Sequence, residues 1–261
     1  MTDQLNGRRA VVTGGASGIG SACARMLAER GANVIVADID RERAEDVSAE
    51  VDGQVLEMDV SSESSVLAAV QRCHRGLGAV DILVTSAGVT QNPMSPEDFG
   101  QDEWDRVVDI DLRGTWLCAT AFGKAMALQG RGSIVTIASV AGMRSMPLHA
   151  YAPAKAAIIS MTANLAAEWG RSGVRVNVVS PGYTLTPLLQ AVIDSGHRDP
   201  TNLIENSALG RLVQPEEIAS AVCFLASDAA AAITGVNIPV DAGWLAANSW
   251  HTYNGLPAPR E

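Results

Sequence analysis

The stretch Arg9-Ala-Val-Val-Thr-Gly-Gly-Ala-Ser-Gly-Ile-Gly20 decides the fold, together with the apolar positions Cys23, Met26 and Leu27 that follow it. Its first five residues are mostly apolar or β-branched and predict a short buried strand, and the later positions predict a helix with one apolar stripe. A glycine-rich turn between a strand and a helix is the arrangement that binds the pyrophosphate of a dinucleotide. The helix N-terminus offers unpaired N–H groups and a positive dipole end to the phosphates.

The glycines of this turn have different predicted tasks. Gly14 allows the tight turn, Gly18 lets a pyrophosphate approach the backbone, and Gly20 permits close packing of the helix against the strand. The predicted cofactor contacts of the turn are Gly14, Ser17, Gly18, Ile19 and Gly20.

A second predicted strand, over residues 33–37, ends at Asp38, about twenty residues after the glycine turn. A carboxylate there can accept both ribose hydroxyls of an adenosine, and it repels a 2′-phosphate. Ile39 follows Asp38, and the glycine turn contains no Arg or Lys. The sequence therefore predicts NAD as the cofactor, and the nearby Arg41 is the feature that keeps NADP open as an alternative.

The remaining predicted strands also end in residues suited to a ligand site. Strands over 54–58, 80–84, 133–137 and 174–179 lead into Asp59 and Val60, into Ser86, Ala87 and Gly88, into Ser139, and into Pro181 and Gly182. We expect Asp59 to meet the adenine amino group, to cap the next helix, or to do both. Repeated strand–helix units predict an α/β fold with a doubly wound parallel sheet, whose ligands bind beyond the carboxyl ends of the strands.

Tyr151 and Lys155 carry the predicted chemistry. Residues four apart share one face of a helix, so the pair places an ammonium beside a phenol. A nearby cation favours the phenolate, which suits the tyrosine to acid–base work at neutral pH. The hydroxyl of Ser139, at the end of the preceding strand, is placed to hydrogen-bond a substrate oxygen.

Composition excludes several classes of function. The formal charge of −10 argues against a nucleic-acid partner, because phosphate binding needs a basic surface. Four widely spaced cysteines form no metal-binding pattern, so we expect no metal and free thiols in a reducing compartment. Since the sequence shows neither a secretory leader nor a membrane-spanning apolar run, we expect a soluble, cytoplasmic protein without a membrane partner.

We expect residues 1–261 to form one catalytic domain, because no internal linker interrupts them. Residues 184–210 are predicted to be an irregular lid over the site. The tail 244–261 is expected to dock, since it contains several aromatic residues: Trp244, Trp250, His251 and Tyr253. Predicted helices over 102–129 and 151–169 are apolar nearly all round, which favours a homo-oligomer.

From Arg8 to Gly243 the chain resembles the single-domain short-chain dehydrogenases/reductases. Residues 13–20 are similar to the family's T-G-x-x-x-G-x-G, and Tyr151-x-x-x-Lys155 with Ser139 is similar to its catalytic set. Pro181-Gly182, with Thr184 and Thr186, resembles its nicotinamide-side loop.

The resemblance implies a Rossmann-type sheet of seven strands, in the order 3-2-1-4-5-6-7, with helices on both faces, and commonly a tetramer. It implies that Tyr151 gives or takes the alcohol proton and that Ser139 holds the substrate oxygen. Lys155 would promote loss of the tyrosine proton and hydrogen-bond the nicotinamide ribose.

The chain departs from the family pattern at two places. Thr85-Ser86-Ala87-Gly88 stands where the family usually has N-N-A-G, with a modest expected effect. Asp111, in Asp111-Leu-Arg-Gly114, stands where the resemblance implies a fourth catalytic residue, an Asn that helps to order a water beside the lysine. An ionised Asp111 keeps the acceptor, loses the amide donor and tends to raise the pKa of Lys155. We expect a surviving relay with an altered pH dependence.

The substrate is predicted to be a small molecule, with Ser139, Gln91, Asn92, His149, Tyr183 and Leu188 as its candidate contacts. Their hydrogen-bonding groups favour a polyol or sugar-type secondary alcohol. A Leu-rich lid keeps a hydroxysteroid or another bulky apolar alcohol open, and a 3-oxoacyl thioester reductase is a further alternative. Two other classes are an epimerase or dehydratase with tightly held NAD, and an NAD-binding regulator without turnover.

Overall fold

A computed structural model describes residues 4–247, 249–253 and 255–257, with only the backbone of His251 and Tyr253. In this part of the chain, seven strands form one parallel sheet. They are β1 (Arg9–Thr13), β2 (Asn33–Asp38), β3 (Gln54–Glu57), β4 (Ile82–Thr85), β5 (Gly132–Ile137), β6 (Val174–Pro181) and β7 (Asn237–Val240).

The same part of the chain forms ten α-helices. They are α1 (Gly18–Glu29), α2 (Arg41–Glu50), α3 (Glu63–Arg72), α4 (Gln101–Val107), α5 (Gly114–Gln129), α6 (Tyr151–Trp169), α7 (Pro187–Asp194), α8 (Thr201–Glu205), α9 (Pro215–Ala226) and α10 (Trp244–Ala247). Segments of π-helix follow α3 (Cys73–Leu77) and join α4 to α5 (Val108–Arg113).

The strand order is β3-β2-β1-β4-β5-β6-β7, which confirms the predicted order. Thr13 at the end of β1 pairs with Ala37 of β2 and with Thr85 of β4, and Thr85 pairs with Thr136 of β5. These strands therefore end at the same level, and the loops that follow them meet at one edge of the sheet.

Successive residues of the strands supply two cores, one on each face of the sheet. Val12 belongs to the core covered by α1, α2 and α9, and Val11 to the core covered by α3, α5 and α6. This alternation follows from the two-residue period of a strand. The central strands β1, β4 and β5 are buried on both faces and mostly apolar, as parallel strands are, whereas the edge strands β3 and β7 are partly exposed.

Three local predictions are wrong in detail. The helix predicted over 102–129 is interrupted by the π-helical segment between α4 and α5. The region 184–210, expected to be irregular, contains the short helices α7 and α8. Ser62 rather than Asp59 caps α3, because its hydroxyl accepts a hydrogen bond from the Ser65 N–H.

The part of the tail that the structure describes is docked at one end. Trp244 packs edge to face on Tyr183, with 5.7 Å between the ring centroids. Trp250 is 46 % exposed. The predicted docking of the His251 and Tyr253 side chains lies outside what the structure describes.

No helix in the described ranges is long and apolar enough to cross a membrane. Among the same residues, no three His, Cys, Asp or Glu side chains are grouped so that they would hold a metal ion. The four cysteines are free and buried, and burial raises the pKa of Cys73 to about 11.

Candidate active site

The glycine turn is built with no space for side chains at two positions. Gly14 has φ +64°, and a Cβ there would lie 2.6 Å from Cα of Ala87, in the loop after β4. A Cβ at Gly20 would overlap the carbonyl oxygen of Gly14. Real Cβ atoms do not approach so closely, so both positions require glycine.

The N-terminus of α1 is open to a ligand. Its N-cap residue, Ser17, makes no side-chain capping hydrogen bond. Gly18 has φ +52°, and a Cβ there would meet Thr186 at 3.5 Å. The glycine turn and the segment after β6 therefore form two sides of one cleft. A helix N-terminus at such a cleft suits a phosphate.

Asp38 connects β2 to the glycine turn. Its Oδ2 accepts a hydrogen bond from the Ala16 N–H at 3.0 Å, and its Oδ1 accepts one from the Asp40 N–H at 3.0 Å. Each carboxylate oxygen keeps a lone pair for a further donor. The guanidinium of Arg41 lies 2.8 Å from Glu45 and 3.8 Å from Glu57, so two carboxylates already neutralise it.

The other predicted cofactor contacts lie around the same cleft. Asp59 accepts hydrogen bonds from the N–H and the hydroxyl of Ser61, and Val60 packs against Gly114. The N–H of Ala87 bonds the hydroxyl of Thr13, which ties the loop after β4 to the end of β1. The remaining predicted contacts, Ile19, Ile39, Ser86, Gly88, Pro181, Gly182 and Thr184, flank the carboxyl ends of β1, β2, β4 and β6.

Tyr151 and Lys155 occupy the first turn of α6, as predicted. The Lys155 Nζ lies 5.2 Å from the centroid of the Tyr151 ring. Lys155 is buried and Tyr151 is half-buried. A buried ammonium is therefore held beside the phenol ring.

Asp111 is the counterion of Lys155. The carboxylate is fully buried; Oδ2 lies 3.0 Å from the Lys155 Nζ, and Oδ1 accepts a hydrogen bond from the Val89 N–H at 2.7 Å. Burial acts to lower the pKa of Lys155, but the Asp111 carboxylate and the Tyr151 hydroxyl outweigh it, so the pKa lies above its ordinary value. The direction is the one that the sequence predicts.

The π-helical segment sets the position of Asp111. It widens the helix between α4 and α5, and Asp111 lies inside it. A Cβ at Gly88 would lie 3.3 Å from Asp111 Oδ1, so the loop after β4 passes directly over the carboxylate. Widened turns of this kind are frequent at functional sites.

Ser139 follows β5 and begins a short 3₁₀ turn, Val140–Gly142. Its Oγ accepts a hydrogen bond from the Ala141 N–H at 3.1 Å, which orients the hydroxyl and leaves its proton for another acceptor. Strand β5 is adjacent to both β4 and β6, so Ser139 comes from the middle of the cleft.

The predicted substrate contacts fall into two groups. Gln91 is buried, His149 and Tyr183 are half-buried, and His149 lines a groove of about 430 Å³ beside the loop 141–149. Asn92 and Leu188 are instead exposed, Leu188 by 58 %. The structure therefore does not bury these two side chains in the site.

Three features of the site are missing from the sequence-based prediction. The Gln91 Oε1 accepts hydrogen bonds from the N–H groups of Ala150 and Tyr151, at 2.9 and 3.1 Å. The guanidinium of Arg198 lies 5.0 Å from the Tyr183 ring centroid. The π-helical turn is the third. The position of Gln91, a polar residue shortly after Gly88, indicated in the sequence that it lies near the site. Nothing in the sequence around Arg198 indicates that it contacts Tyr183.

The cleft fits a dinucleotide. A Cβ at Gly14 would meet the backbone of Ala87 and one at Gly18 the side chain of Thr186, so the glycines keep this part of the cleft free of side chains of their own. Asp38 at the end of β2 offers carboxylate oxygens to a ribose, and Lys155 offers an ammonium at the opposite end. The turn and Asp38 would hold the adenosine half, and Lys155 with the Pro181–Thr186 segment would hold the nicotinamide half.

Comparisons with known proteins agree with this geometry. A family model described as enoyl-(acyl carrier protein) reductase matches residues 14–245. Galactitol 2-dehydrogenase of Rhizobium johnstonii is 40 % identical over 248 residues, which cover 92 % of this chain and 96 % of that protein.

Solved structures are similar over nearly the whole chain. One described as ribose-5-phosphate isomerase from Brucella melitensis 16M is 55 % identical, with a TM-score of 0.96, and the match covers 98 % of this chain and 99 % of that one. A gluconate 5-dehydrogenase from Burkholderia cenocepacia J2315, in complex with NADP and tartrate, is 33 % identical with a TM-score of 0.88, over 94 % of this chain and 98 % of that one.

The family model extends from the glycine turn to α10, and the dehydrogenase relative is matched over almost its full length. The solved structures share the fold of this chain over more than nine-tenths of its length. The chain thus belongs to the short-chain dehydrogenase/reductase family, and it is an oxidoreductase that uses a nicotinamide cofactor.

Proposed function

We propose that the protein is an NAD-dependent dehydrogenase that oxidises a secondary hydroxyl of a polyol or sugar-type substrate. The observation that carries the proposal is the buried ion pair of Asp111 and Lys155 beside the half-buried Tyr151, with 3.0 Å between the carboxylate and the ammonium and 5.2 Å between the ammonium and the phenol ring. The 40 % identical galactitol 2-dehydrogenase supports the substrate class.

In this proposal Tyr151 removes the hydroxyl proton of the substrate while Ser139 holds the same oxygen. The Ala141 N–H orients the Ser139 hydroxyl, so its proton points away from the backbone and towards an acceptor. The nicotinamide, when bound, accepts the hydride from the carbinol carbon. Position and acid–base chemistry are the contributions of the protein.

Lys155 stabilises the phenolate that Tyr151 needs for this step. Asp111 in turn neutralises part of the lysine's charge, so the carboxylate counteracts the lysine's effect on the phenol. We propose that Asp111 sets the pH at which Tyr151 becomes a base, and that the proton relay through Lys155 survives with an altered pH dependence.

NAD is proposed as the cofactor because of Asp38 and Arg41. The Asp38 carboxylate is fixed by two backbone N–H groups at the end of β2, where an adenosine ribose is expected. Arg41, the cation nearest to that position in sequence, is paired with Glu45 and Glu57. The 2′-phosphate of NADP would lie beside the Asp38 carboxylate, which repels it, and the charge of Arg41 is already paired. The ratio of kcat/KM for NAD to that for NADP tests this proposal.

The main experiment measures NADH formation with NAD and a panel of polyols, sugars, sugar acids, steroids and simple secondary alcohols. We expect turnover of polyols, and a loss of about 10²- to 10⁴-fold in kcat for Tyr151→Phe with NAD binding retained. Ser139→Ala should also lower kcat, and Ser64→Ala, at an exposed serine of α3, is its control and should retain full activity. Oxidation of steroids alone, or reduction of a 3-oxoacyl thioester alone, would replace the proposed substrate class.

An isomerase is the second candidate, since the 55 % identical structure is described as ribose-5-phosphate isomerase. Moving a carbonyl along a sugar needs proton transfers and no added nicotinamide, so ribose 5-phosphate without nucleotide separates the two activities. We expect no conversion. Conversion that survives removal of all nucleotide would favour the isomerase and contradict the dehydrogenase.

A regulator that binds NAD without turnover is distinguished in the same assays. It would bind NAD with equal affinity in the wild type and in Tyr151→Phe, and neither protein would oxidise any alcohol. An epimerase or dehydratase would consume substrate without net formation of NADH.

We propose that the enzyme is a cytoplasmic homo-oligomer, built as a tetramer. Trp116 and Leu128 on α5 are exposed apolar side chains, and they support burial against another copy. Four buried free thiols are typical of a reducing compartment. Light scattering coupled to size-exclusion chromatography gives the mass. A monomer at micromolar concentration would contradict the oligomer.

We also propose that residues 1–261 act as one catalytic domain whose lid spans 184–210 and whose tail spans 244–261. Helices α7 and α8 lie in the lid, and Tyr183 contacts both Arg198 of the lid and Trp244 of the tail. Truncation after Gly243 tests the tail: unchanged kinetics and unchanged assembly would remove it from the proposal.

A further inference from the structure

Gln91 connects the loop after β4 to the N-terminus of the helix that carries Tyr151. It follows Gly88 by three residues, and its Oε1 accepts hydrogen bonds from the N–H groups of Ala150 and Tyr151, at 2.9 and 3.1 Å. Two of the unpaired N–H groups at the start of α6 are thereby satisfied. Gln91 therefore fixes the backbone of Tyr151.

These two hydrogen bonds also decide which way the amide is oriented. A backbone N–H can only donate, so the atom that faces Ala150 and Tyr151 must be the oxygen. The Nε2 atom is then the other end of the amide, and it lies beside the first turn of α6 with two N–H donors.

The Gln91 side chain is buried, with 5 % of the residue exposed, and Nε2 has no hydrogen-bond partner among the described residues. Leaving a buried donor unpaired is unfavourable, and native proteins rarely do so without a functional reason. The amide is held against the backbone of the proposed catalytic tyrosine. Both facts indicate an acceptor that arrives with a ligand.

We infer that Gln91 is a specificity-determining residue, whose Nε2 donates a hydrogen bond to a substrate oxygen on the carbon next to the reacting carbinol. The inference rests on the proposed dehydrogenase function and deepens it. The preferred substrates would be vicinal diols and their equivalents, in which the neighbouring oxygen is an acceptor. Simple secondary alcohols lack that oxygen and leave Nε2 unpaired.

Three matched alcohols test the inference: 2,3-butanediol, 3-methoxy-2-butanol and 2-butanol, with the same configuration at the reacting carbon. The ether oxygen of the second can accept a hydrogen bond but cannot donate one. For the wild type we expect kcat/KM to be about tenfold or more higher for the first two than for 2-butanol.

Gln91→Glu separates the two roles of the side chain. A carboxylate still accepts from the N–H groups of Ala150 and Tyr151, but it has no donor for an ether oxygen. We expect the advantage of 3-methoxy-2-butanol over 2-butanol to fall to about onefold, mainly through KM. If Gln91 only holds the helix, the substitution leaves this ratio unchanged, and that result overturns the inference.

Gln101→Glu is the matched control, because Gln101 is exposed on α4 and bonds Asp105; its substrate ratios should equal those of the wild type. Gln91→Met is the second variant, for the case that Gln91→Glu does not fold. It lacks both amide groups, so the ratio should be lost and kcat should fall for all three alcohols.

The test also separates this inference from the proposed function. If the wild type oxidises all three alcohols with equal kcat/KM, the role of Gln91 is refuted and the dehydrogenase stands. If it oxidises none of them and no polyol, the dehydrogenase proposal is refuted and the inference falls with it.

Discussion

The glycine turn and the substrate-facing wall of the same cleft are built in opposite ways. At the turn, Gly14 and Gly20 lie against the backbone of Ala87 and of Gly14 itself, so that no side chain fits. The wall that we propose to face the substrate takes its side chains from three loops: Gln91 after β4, His149 before α6 and Tyr183 after β6. Backbone geometry determines the residues of the first wall, whereas the second presents side-chain groups that a ligand could contact.

This difference has a consequence for tolerance to mutation. A residue required by close backbone approach cannot be replaced without moving two chain segments, whatever the substrate is. A residue that contributes only a side-chain contact can be exchanged at the cost of that contact. The effects of substitutions should therefore be largest at the glycine turn, smaller at the buried ion pair of Asp111 and Lys155, and smallest in the lid.

Gly20→Ala is the substitution with the largest expected effect. Its Cβ would overlap the Gly14 carbonyl oxygen, so the start of α1 must move away from β1. We expect the free energy of unfolding to fall by about 3 kcal/mol or more, with loss of NAD binding. Urea denaturation and a fluorescence titration with NAD measure the two quantities.

Gly170→Ala is the control for this comparison. Gly170 has helical backbone angles, and a Cβ there would meet nothing within 4 Å. The alanine should change the free energy of unfolding by less than about 1 kcal/mol. Equal effects of the two substitutions would contradict the difference between the walls.

Asp38→Asn is the next in size, and it acts at the ribose end of the glycine wall. The amide keeps one acceptor oxygen but loses the charge, so NAD loses a charge-assisted hydrogen bond and the 2′-phosphate of NADP is repelled less. We expect the ratio of kcat/KM for NAD to that for NADP to fall about tenfold or more. Asp46→Asn, at an exposed carboxylate of α2, should leave the ratio unchanged. An unaltered ratio in Asp38→Asn would remove Asp38 from cofactor selection.

The cofactor wall and the sheet order could be predicted from the sequence for the same physical reason. Glycine spacing, apolar strands and a carboxylate at a strand end are local patterns, and parallel strand–helix units allow few topologies. Tyr151 and Lys155 were predictable because four residues make one helical turn. The contact of Asp111 with Lys155 needed the family pattern, since 44 residues separate them in sequence.

The parts that the sequence did not predict depend on geometry between segments. The π-helical turn at 108–113 shifts the hydrogen-bond pattern without a change in composition. Asp and Ser are both favourable N-cap residues, so residue type does not distinguish Asp59 from Ser62. The backbone geometry places Ser62 at the N-cap of α3. The exposure of Leu188 and the contact of Arg198 with Tyr183 follow from how the lid helices lie, which no local pattern in 184–210 specifies.

Asp111→Asn tests the region between the two walls through the pH dependence of oxidation. Without the carboxylate, the pKa of Lys155 loses one of the influences that raise it, and the ammonium acts on Tyr151 without compensation. The phenolate is then favoured at lower pH. We expect the ascending limb of log kcat/KM against pH to move down by about one pH unit.

The matched control is Asp109→Asn, an exposed carboxylate in the same π-helical segment, 3.8 Å from Arg113. Its pH profile should coincide with that of the wild type. A profile that does not move in Asp111→Asn, or that moves to higher pH, would show that the carboxylate does not oppose the action of Lys155 on Tyr151.

Arg198→Met should have the smallest effect, because the lid contact consists of side chains alone. The guanidinium lies 5.0 Å from the Tyr183 ring centroid, and Tyr183 also packs on Trp244, so the contact joins the lid to the tail. A cation–π contact of this kind contributes about 0.5–1 kcal/mol, and methionine keeps much of the apolar contact. We expect KM for the substrate to rise about two- to fivefold, with kcat and NAD affinity unchanged, in steady-state kinetics. Arg171→Met is the control, because Arg171 is exposed in the turn that follows α6; its KM should equal that of the wild type. If Arg198→Met lowered kcat by orders of magnitude, the lid would belong with the glycine turn as a structure that tolerates no change.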